Sequence, residues 1–556
     1  TFPAFQPVYS STELLRSKWL SGRFYVKLVQ QIIASVSPKD FVEMLPNEII
    51  KKFQLCDRYV ALKNIHFPEN EQNLQKAIYR LKFEELFLHQ IGICKLKLNN
   101  KQVKGYYFEK VGKHFNTFYK DYIPFELTND QKKVLKEIRQ DTQTGKQMNR
   151  LLQGDVGSGK TMVALLCMLL AIDNDFQTCL MAPTEILAMQ HYTGIEELLA
   201  AMPIEIGYLS GKTKAKDRKI LLSRLQSGDL KILIGTHALI EDKVTFKNLG
   251  LCIIDEQHRF GVAQRAKLYD KNTLPPHILV MTATPIPRTL AMTSYGDLEV
   301  SVIKEMPPGR KPISTVHRPE MYRAKVMDFI KSEIAQGRQI YIVYPLIAES
   351  EKLDYENLYA GYEQVKQFFP DHLYQIAMVH GKQTQEEREQ NMQSFVKGKA
   401  HILVATTVIE VGVNVPNASV MVIESAERFG LSQMHQLRGR VGRGAEKSYC
   451  ILLTGQKLSA VGKERIHTMV QETSGFAISE KDLLLRGPGE IDGIRQSGAA
   501  DLKIADIIKD VELMAITRKA AIDILQKDSN LENEENQSLR NYLLSRKEKE
   551  IWSRIS

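Results

Sequence analysis

The eight residues Gly154-Asp155-Val156-Gly157-Ser158-Gly159-Lys160-Thr161 leave this chain few folds to choose from. They match G-x-x-x-x-G-K-[ST] in full, after the apolar stretch Arg150–Gln153 and before a second one, Thr161–Leu170. A strand, a glycine turn and a helix in that order predict a parallel sheet with crossover helices. The glycines let the backbone wrap an anion and aim its N–H groups at it, and the helix N-terminus adds partial positive charge. The loop is therefore expected to hold the phosphates of ATP. Lys160 would reach the β- and γ-phosphates, and Thr161 would ligate magnesium.

The rhythm around the loop agrees. Apolar runs at Arg150–Gln153, Thr178–Met181, Ile232–Ile234, Leu251–Ile254 and Ile278–Met281 alternate with helical stretches. A breaker-rich segment, Glu305 to Pro312, is followed by a second series at Gln339–Tyr344, Ile376–Val379, Ile402–Ala405, Val420–Ile423 and Ser448–Leu453. Two similar α/β lobes joined by a Pro/Gly hinge are expected. The predicted organisation is a helical N-terminal and linker region (1–122), a first, nucleotide-binding lobe (123–306), a second lobe (307–455) and a helical C-terminal region (456–556).

Bulk properties set outer bounds. A chain of 556 residues exceeds one core and predicts roughly three or four domains. The net charge of +10 is compatible with a polyanionic partner. Six cysteines without a CxxC pair read as buried thiols in a reducing, cytoplasmic setting. The longest apolar run, Met162 to Ile172, falls short of the ~20 residues a membrane helix needs, so no membrane partner is expected. There is no signal peptide pattern, and the start at Thr1 without methionine reads as trimming from a larger protein.

Asp255-Glu256 follows the strand Leu251–Ile254, where a second phosphate-site carboxylate belongs. Asp255 would hold magnesium, and Glu256 would activate the attacking water. Arg440 and Arg443 lie in Gln436-Leu437-Arg438-Gly439-Arg440-Val441-Gly442-Arg443, a glycine-rich segment of the second lobe. Arginines reaching the γ-phosphate from elsewhere contribute ~10³–10⁵ in rate in phosphoryl transfer, and their arrival couples chemistry to lobe closure. Phe125 and Gln131 are placed to stack on and hydrogen-bond an adenine. His258 and Gln436 belong to the same nucleotide set. Thr282-Ala283-Thr284 ends a strand and reads as a sensor of nucleotide state. Thr184, Thr236 and Thr406 sit at strand ends, where small hydroxyls suit a phosphodiester backbone. Between Ile91 and Tyr122 lysines interleave with aromatics, which reads either as a DNA-contacting face or as an amphipathic connecting helix with a solvated lysine face.

Taken in order, these strings resemble the motif set of superfamily 2 helicases, and most closely the RecG family of branched-DNA helicases. The matching strings are Gly154–Thr161, Ala182-Pro183-Thr184-Glu185-Ile186-Leu187-Ala188, Asp255-Glu256-Gln257-His258-Arg259-Phe260-Gly261, Met281 to Leu290 and Val404 to Gly444. Arg486-Gly487-Pro488-Gly489-Glu490 and Gly493 to Gly498 are similar to that family's translocation motif. The resemblance implies two RecA-like motor lobes in tandem, flanked by helical regions. It implies ATP and magnesium as cofactors and branched double-stranded DNA (stalled forks, Holliday junctions) as partner. It implies a single-strand DNA-binding protein as a further partner, and a role in DNA repair and recombination. A helical hairpin near 462–498 would convert lobe closure into movement, with Arg486 and Gln496 its sensitive points. Two departures stand out. The family's wedge domain is expected to be missing ahead of Phe5, and Asn414 stands where relatives usually carry Asp. The rival readings are a nucleotide-gated DNA clamp without processive motion and a translocase of the transcription-repair coupling type.

Overall fold

A computed structural model of the protein describes residues 5, 7–9, 22–101, 103–256, 274–284, 287, 298–308, 311–345, 351–406, 415–442, 444, 447–486, 502–506 and 509–552. The chain forms two compact units, one of residues 101–287 and 298–487, the other of 1–100, 288–297 and 488–556.

The larger unit carries both sheets. The first contains β1 (Asn149–Gly154), β2 (Gln177–Met181), β3 (Ile206–Leu209), β4 (Ile232–Gly235), β5 (Leu249–Asp255), β6 (His277–Thr282) and β7 (Glu299–Ile303). Its order is β3-β4-β2-β5-β6-β1-β7, parallel throughout. Its helices are α1 (Lys113–Thr117), α2 (Asn129–Thr142), α3 (Lys160–Ile172), α4 (Glu185–Leu199) and α5 (Ala215–Ser227). Every residue of α3 except Thr161 is buried, so its apolar run is continuous where a half-exposed helix would show a stripe.

The second sheet contains β8 (Ser314–Pro319), β9 (Gln339–Val343), β10 (Ile376–Val379), β11 (Ile402–Ala405), β12 (Ala418–Ile423) and β13 (Tyr449–Thr454). It is also parallel, in the order β10-β11-β9-β12-β13-β8. Helices α6 (Arg323–Ala335), α7 (Glu351–Phe368), α8 (Gln385–Val396), α9 (Leu431–Arg438), α10 (Ala460–Gln471) and α11 (Gly475–Arg486) follow in chain order.

The lobes repeat each other down to single side chains. Gln177 opens β2 and donates from Nε2 to the carbonyls of Leu225 (2.8 Å) and Leu230 (2.7 Å). Gln339 opens β9 and donates likewise to Phe395 (2.6 Å) and Ala400 (2.9 Å). Each buried amide satisfies carbonyls left over where a helix turns into the next strand. The same repeat holds at the strand ends, where Thr236 N bonds Leu209 O and Thr406 N bonds Val379 O.

The lysine- and aromatic-rich segment divides its rings, some entering a core while Tyr107, Tyr119 and Tyr122 stay exposed. A helix ends at Lys101, Lys104 forms an isolated antiparallel bridge with Lys146, and residues 105–112 have no regular structure before α1. Phe108 and Phe118 are fully buried in the first lobe's core, with Tyr106 and Phe115 packed against it. His277 fastens this segment: Met148 N donates to Nδ1 at 2.9 Å, so Nε2 carries the proton and donates to Tyr106 O at 2.9 Å. Beyond β7 the linker is also tied down. Asp130 Oδ2 accepts from Lys304 N (2.8 Å) and Glu305 N (3.1 Å), and Asp130 N donates to Glu305 Oε2 (3.2 Å).

In the smaller unit, Phe83, Phe87 and Ile91 of the helix Glu71–Lys101 share one core with Ala520, Ala521, Ile524 and Leu525 of the helix Val511–Lys527. No helix among the described residues is long and apolar enough to cross a membrane.

Candidate active site between the two lobes

The phosphate loop joins β1 to α3 with Gly157 at φ 80° and Gly159 at φ 85°, a left-handed backbone that L side chains rarely adopt. Space is a second constraint, since a Cβ on Gly159 would lie 2.2 Å from Gln131 Nε2. Gln131 is fully buried. Its Oε1 accepts from Thr128 N (2.9 Å) in the capping box of α2, and its Nε2 donates to Ser158 O (2.8 Å). Both ends of the amide expected at an adenine are thus engaged on protein backbone. Phe125 lies at the rim of the neighbouring cavity. Lys160 Nζ donates to Gly154 O (2.8 Å) and Asp155 O (3.0 Å), folded back on its own loop.

Asp255 ends β5, and Glu256 follows at φ 53°. For a side chain other than glycine this region is strained and is met most often at functional positions. The strain is held in place. Glu256 N donates to Met281 O (2.9 Å), and the carboxylate accepts from Ala283 N (3.2 Å) and Thr282 Oγ1 (3.4 Å) at the end of β6. His191 Nε2 lies 2.8 Å from Asp255 Oδ2, and since a carboxylate only accepts, Nε2 is the donor. Burial alone would raise Asp255, but the His191 hydrogen bond and charge and the Lys160 charge outweigh it and hold the group below the usual carboxylate range. Glu256 goes the other way: burial, then the neighbouring Asp255 charge, push it up against the opposing pull of Lys160 and Arg440. Adjacent carboxylates driven in opposite directions are suited to different tasks, one staying ionised and one taking a proton.

The second lobe closes the cleft through α9 and the turn after it. Gln436 Nε2 donates to Thr284 Oγ1 (2.8 Å), and His435 Nε2 lies 3.1 Å from Asp155 Oδ1. Arg438 donates to His435 Nδ1 (3.1 Å), so Nε2 carries the proton given to Asp155. The same guanidinium caps the end of α10 through Met469 O, Glu472 O and Thr473 O. Asp155 Oδ2 accepts from Gly475 N (3.1 Å), the first residue of α11. Burial would raise Asp155, but the hydrogen bonds from His435 and Gly475 N and the Lys160 charge hold it below the carboxylate range. Arg440 is buried, and its charge acts on Glu256. A cavity of about 720 Å³ results, walled by Gly157, Lys160, Thr161, Asp255 and Glu256 of the first lobe and Arg440, Gly442 and Gly444 of the second.

The remaining candidates are distributed as follows. Thr184 is the N-cap of α4, its side chain accepting from Leu187 N at 3.3 Å. Thr236 and Thr406 occupy equivalent strand ends, both buried, their hydroxyls without a hydrogen-bonding partner among the described residues. His258, Arg443, Asn414 and Gln496 lie outside the described residues, and Arg486 is described only as the last residue of α11, without its side chain. His191 and His435 went unnoticed in the sequence. His191 stands between buried Leu187 and Ile195 at four-residue spacing, and His435 stands four residues after buried Leu431, and a polar ring on such a stripe is the signal that was there to read.

Comparison with known proteins agrees with this arrangement. A model of the DEAD/DEAH box helicase family matches residues 128–293, one of the helicase conserved C-terminal domain matches 323–445, and one of the C-terminal part of domain 3 of the ATP-dependent DNA helicase RecG matches 472–556. The ATP-dependent DNA helicase RecG of Synechocystis sp. is 46% identical over 533 residues, covering 95% of this chain and 62% of that protein. Its counterpart from Bacillus subtilis is 44% identical over 542 residues, covering 97% and 78%. A solved structure of RecG bound to a three-way DNA junction superposes with a TM-score of 0.75 at 41% identity, covering 92% of this chain and 66% of that one. The chain thus spans between 62% and 78% of the length of these two curated relatives. With two parallel-sheet lobes, a cleft built from both, and identity at this level along nearly all of its length, the chain belongs to the RecG family of ATP-dependent DNA helicases.

Proposed function

We propose that this chain is an ATP-driven translocase and helicase of double-stranded DNA, acting on branched substrates such as stalled forks and Holliday junctions in repair and recombination. The observation that carries the reading is the shared cavity: the phosphate loop and both carboxylates stand on one wall, Arg440 on the other, and Glu256 lies within reach of the Arg440 charge. Work at such a site depends on lobe closure, which is how hydrolysis becomes movement.

In this reading the loop amides and Lys160 bind and orient the triphosphate, Lys160 leaving the carbonyls of Gly154 and Asp155 to do so. The buried Ser158 Oγ, without a hydrogen-bonding partner among the described residues, is a spare donor suited to an anion. Glu256 takes the proton of the attacking water, a task its raised proton affinity favours. Arg440, and Arg443 by its place in the same string, stabilise charge on the transferring phosphoryl group. Thr161 and Asp255, a hydroxyl and an ionised carboxylate on one cavity wall, fit a magnesium ion, which when bound would neutralise charge shared between the β- and γ-phosphates. Thr184 would meet the DNA backbone, whereas the hydroxyls of Thr236 and Thr406 are buried in this conformation and would reach it only after the strand ends rearrange. Arg486 and Gln496 would couple closure to movement, so Gln496→Ala should keep hydrolysis and lose displacement. A single-strand DNA-binding protein is a further proposed partner. The cytoplasm is the proposed location, consistent with six cysteines none of which is disulfide-bonded.

The test is ATP turnover and triplex displacement by the chain on a fluorescent fork, linear duplex and RNA. Lys160→Ala should abolish DNA-stimulated hydrolysis, and undiminished turnover would refute the site. Hydrolysis without triplex displacement would favour the clamp.

A further inference from the structure

Asp255 does not meet the cavity with both oxygens free. His191 reaches it from α4, a different element, with Nε2 at 2.8 Å from Oδ2. Both side chains are 13% exposed, and both residues line the cavity. The ring is not loose. Leu187 and Ile195, one turn to either side on α4, are buried, and Thr184 caps the helix that carries all three. A donor fixed on Oδ2 sets the plane of the carboxylate and engages one of its two oxygens.

We propose that His191 is a positioning residue that confines Asp255 to one-oxygen coordination and thereby gives the site its preference for a small octahedral cation over a large one. The inference rests on the proposed role of Asp255 toward magnesium and adds to it a residue and a selectivity. Magnesium accepts single oxygens at octahedral positions and keeps several waters. Calcium takes six to eight oxygens and often grips a carboxylate by both. A carboxylate with one oxygen engaged by an imidazole serves the first geometry and obstructs the second. Partners that orient a ligating group typically change metal affinity by about 10–100-fold when removed.

The experiment uses the 556-residue chain with a non-hydrolysable ATP analogue and Mn²⁺ as the probe, its binding followed by electron paramagnetic resonance and competed with Mg²⁺ or Ca²⁺. His191→Ala should weaken Mn²⁺ binding about 10–100-fold and lower the Mg²⁺-over-Ca²⁺ discrimination by about threefold or more. His191→Gln, which keeps a donor of similar reach, should recover most of both, while the shorter His191→Asn should behave like alanine. Asp255→Ala is the control and should lose Mn²⁺ binding. If the control loses binding while His191→Ala keeps wild-type affinity and discrimination, the positioning role is wrong. Weaker binding with unchanged discrimination and no recovery in His191→Gln would also overturn it, leaving a structural histidine. Should Asp255→Ala itself bind Mn²⁺ normally, the magnesium assignment falls first and the proposal with it. Circular dichroism checks folding, and if His191→Ala does not fold, the glutamine and asparagine variants give the same comparison.

Discussion

Asp155 of the glycine loop and His435 of the second lobe are hydrogen-bonded at 3.1 Å, so the loop between β1 and α3 is itself held by the opposite wall. The contact is buried and charge-assisted, a class in which the loss of one partner costs about 1.5–3 kcal/mol. His435→Ala should therefore lower DNA-stimulated kcat by about ten- to a hundredfold, with nucleotide affinity changed far less. Steady-state hydrolysis beside titration with a fluorescent nucleotide checks this. Unchanged kcat would show that the bond contributes nothing to closure.

Gly439 tests the fit of the same wall. Its backbone is ordinary right-handed helix, yet a Cβ there would sit 2.9 Å from Val156 Cβ across the cleft. Gly439→Ala should hold the lobes apart and depress DNA-stimulated hydrolysis while leaving thermal stability nearly unchanged. Val156→Gly in the same chain, which removes the clashing Cβ, should restore part of the loss. A single variant with wild-type turnover, or a double variant worse than the single, would count against a steric cause.

Glu256→Gln keeps the size and the acceptor for Ala283 N but cannot take a proton. Turnover should fall about 10²–10⁴-fold with ATP and DNA still bound. Single-turnover hydrolysis with parallel binding measurements decides it, and normal chemistry would move the base elsewhere.

The pH dependence of stability should carry the signature of His277. Burial, opposed in part by the bond to Tyr106 O, pushes this imidazole down to about 4 from its ordinary 6.5. The unfolded chain therefore binds the extra proton throughout the window between those values. Stability contributed by the neutral ring is fully present above about pH 6.5 and is lost as pH falls toward about 4, a change of about 3 kcal/mol. Denaturant melts from pH 7.5 to 4.5 should show that slope. His277→Gln should be less stable at neutral pH but flatter across the window. An equal slope in both chains would assign the dependence to other groups.

How much of this was written in the sequence depends on the kind of interaction. The phosphate loop and the Asp255-Glu256 pair were legible because local chemistry determines them: glycines at left-handed turns, and carboxylates at the end of an apolar strand. Ten strands could be located because a parallel sheet buries both faces and leaves apolar runs. β3, β7 and β8 escaped because they are short or only partly covered, β3 alternating between buried and half-buried residues and β8 lying half-exposed. The lysine- and aromatic-rich segment stayed ambiguous because lysines between aromatics look the same whether the rings await bases or fill a core. Which it is depends on β6 and α3, far away in the chain, closing over Phe108 and Phe118. Gln131 illustrates a subtler limit. Its position beside the nucleotide loop was readable, but not that both ends of its amide would turn to protein backbone.

The fastening of Lys304 and Glu305 to Asp130 decides where the two lobes can pivot. Up to Glu305 the connecting chain is anchored to the first turn of α2, so a swing of the second lobe would turn about a point beyond Glu305. One peptide step past that anchor stands Gln131, whose grip on Ser158 O braces the nucleotide loop. Torque arriving along the connector is thus delivered within a single residue of the brace. An insertion or deletion just after Glu305 would alter the gearing of the motor while leaving both lobes intact.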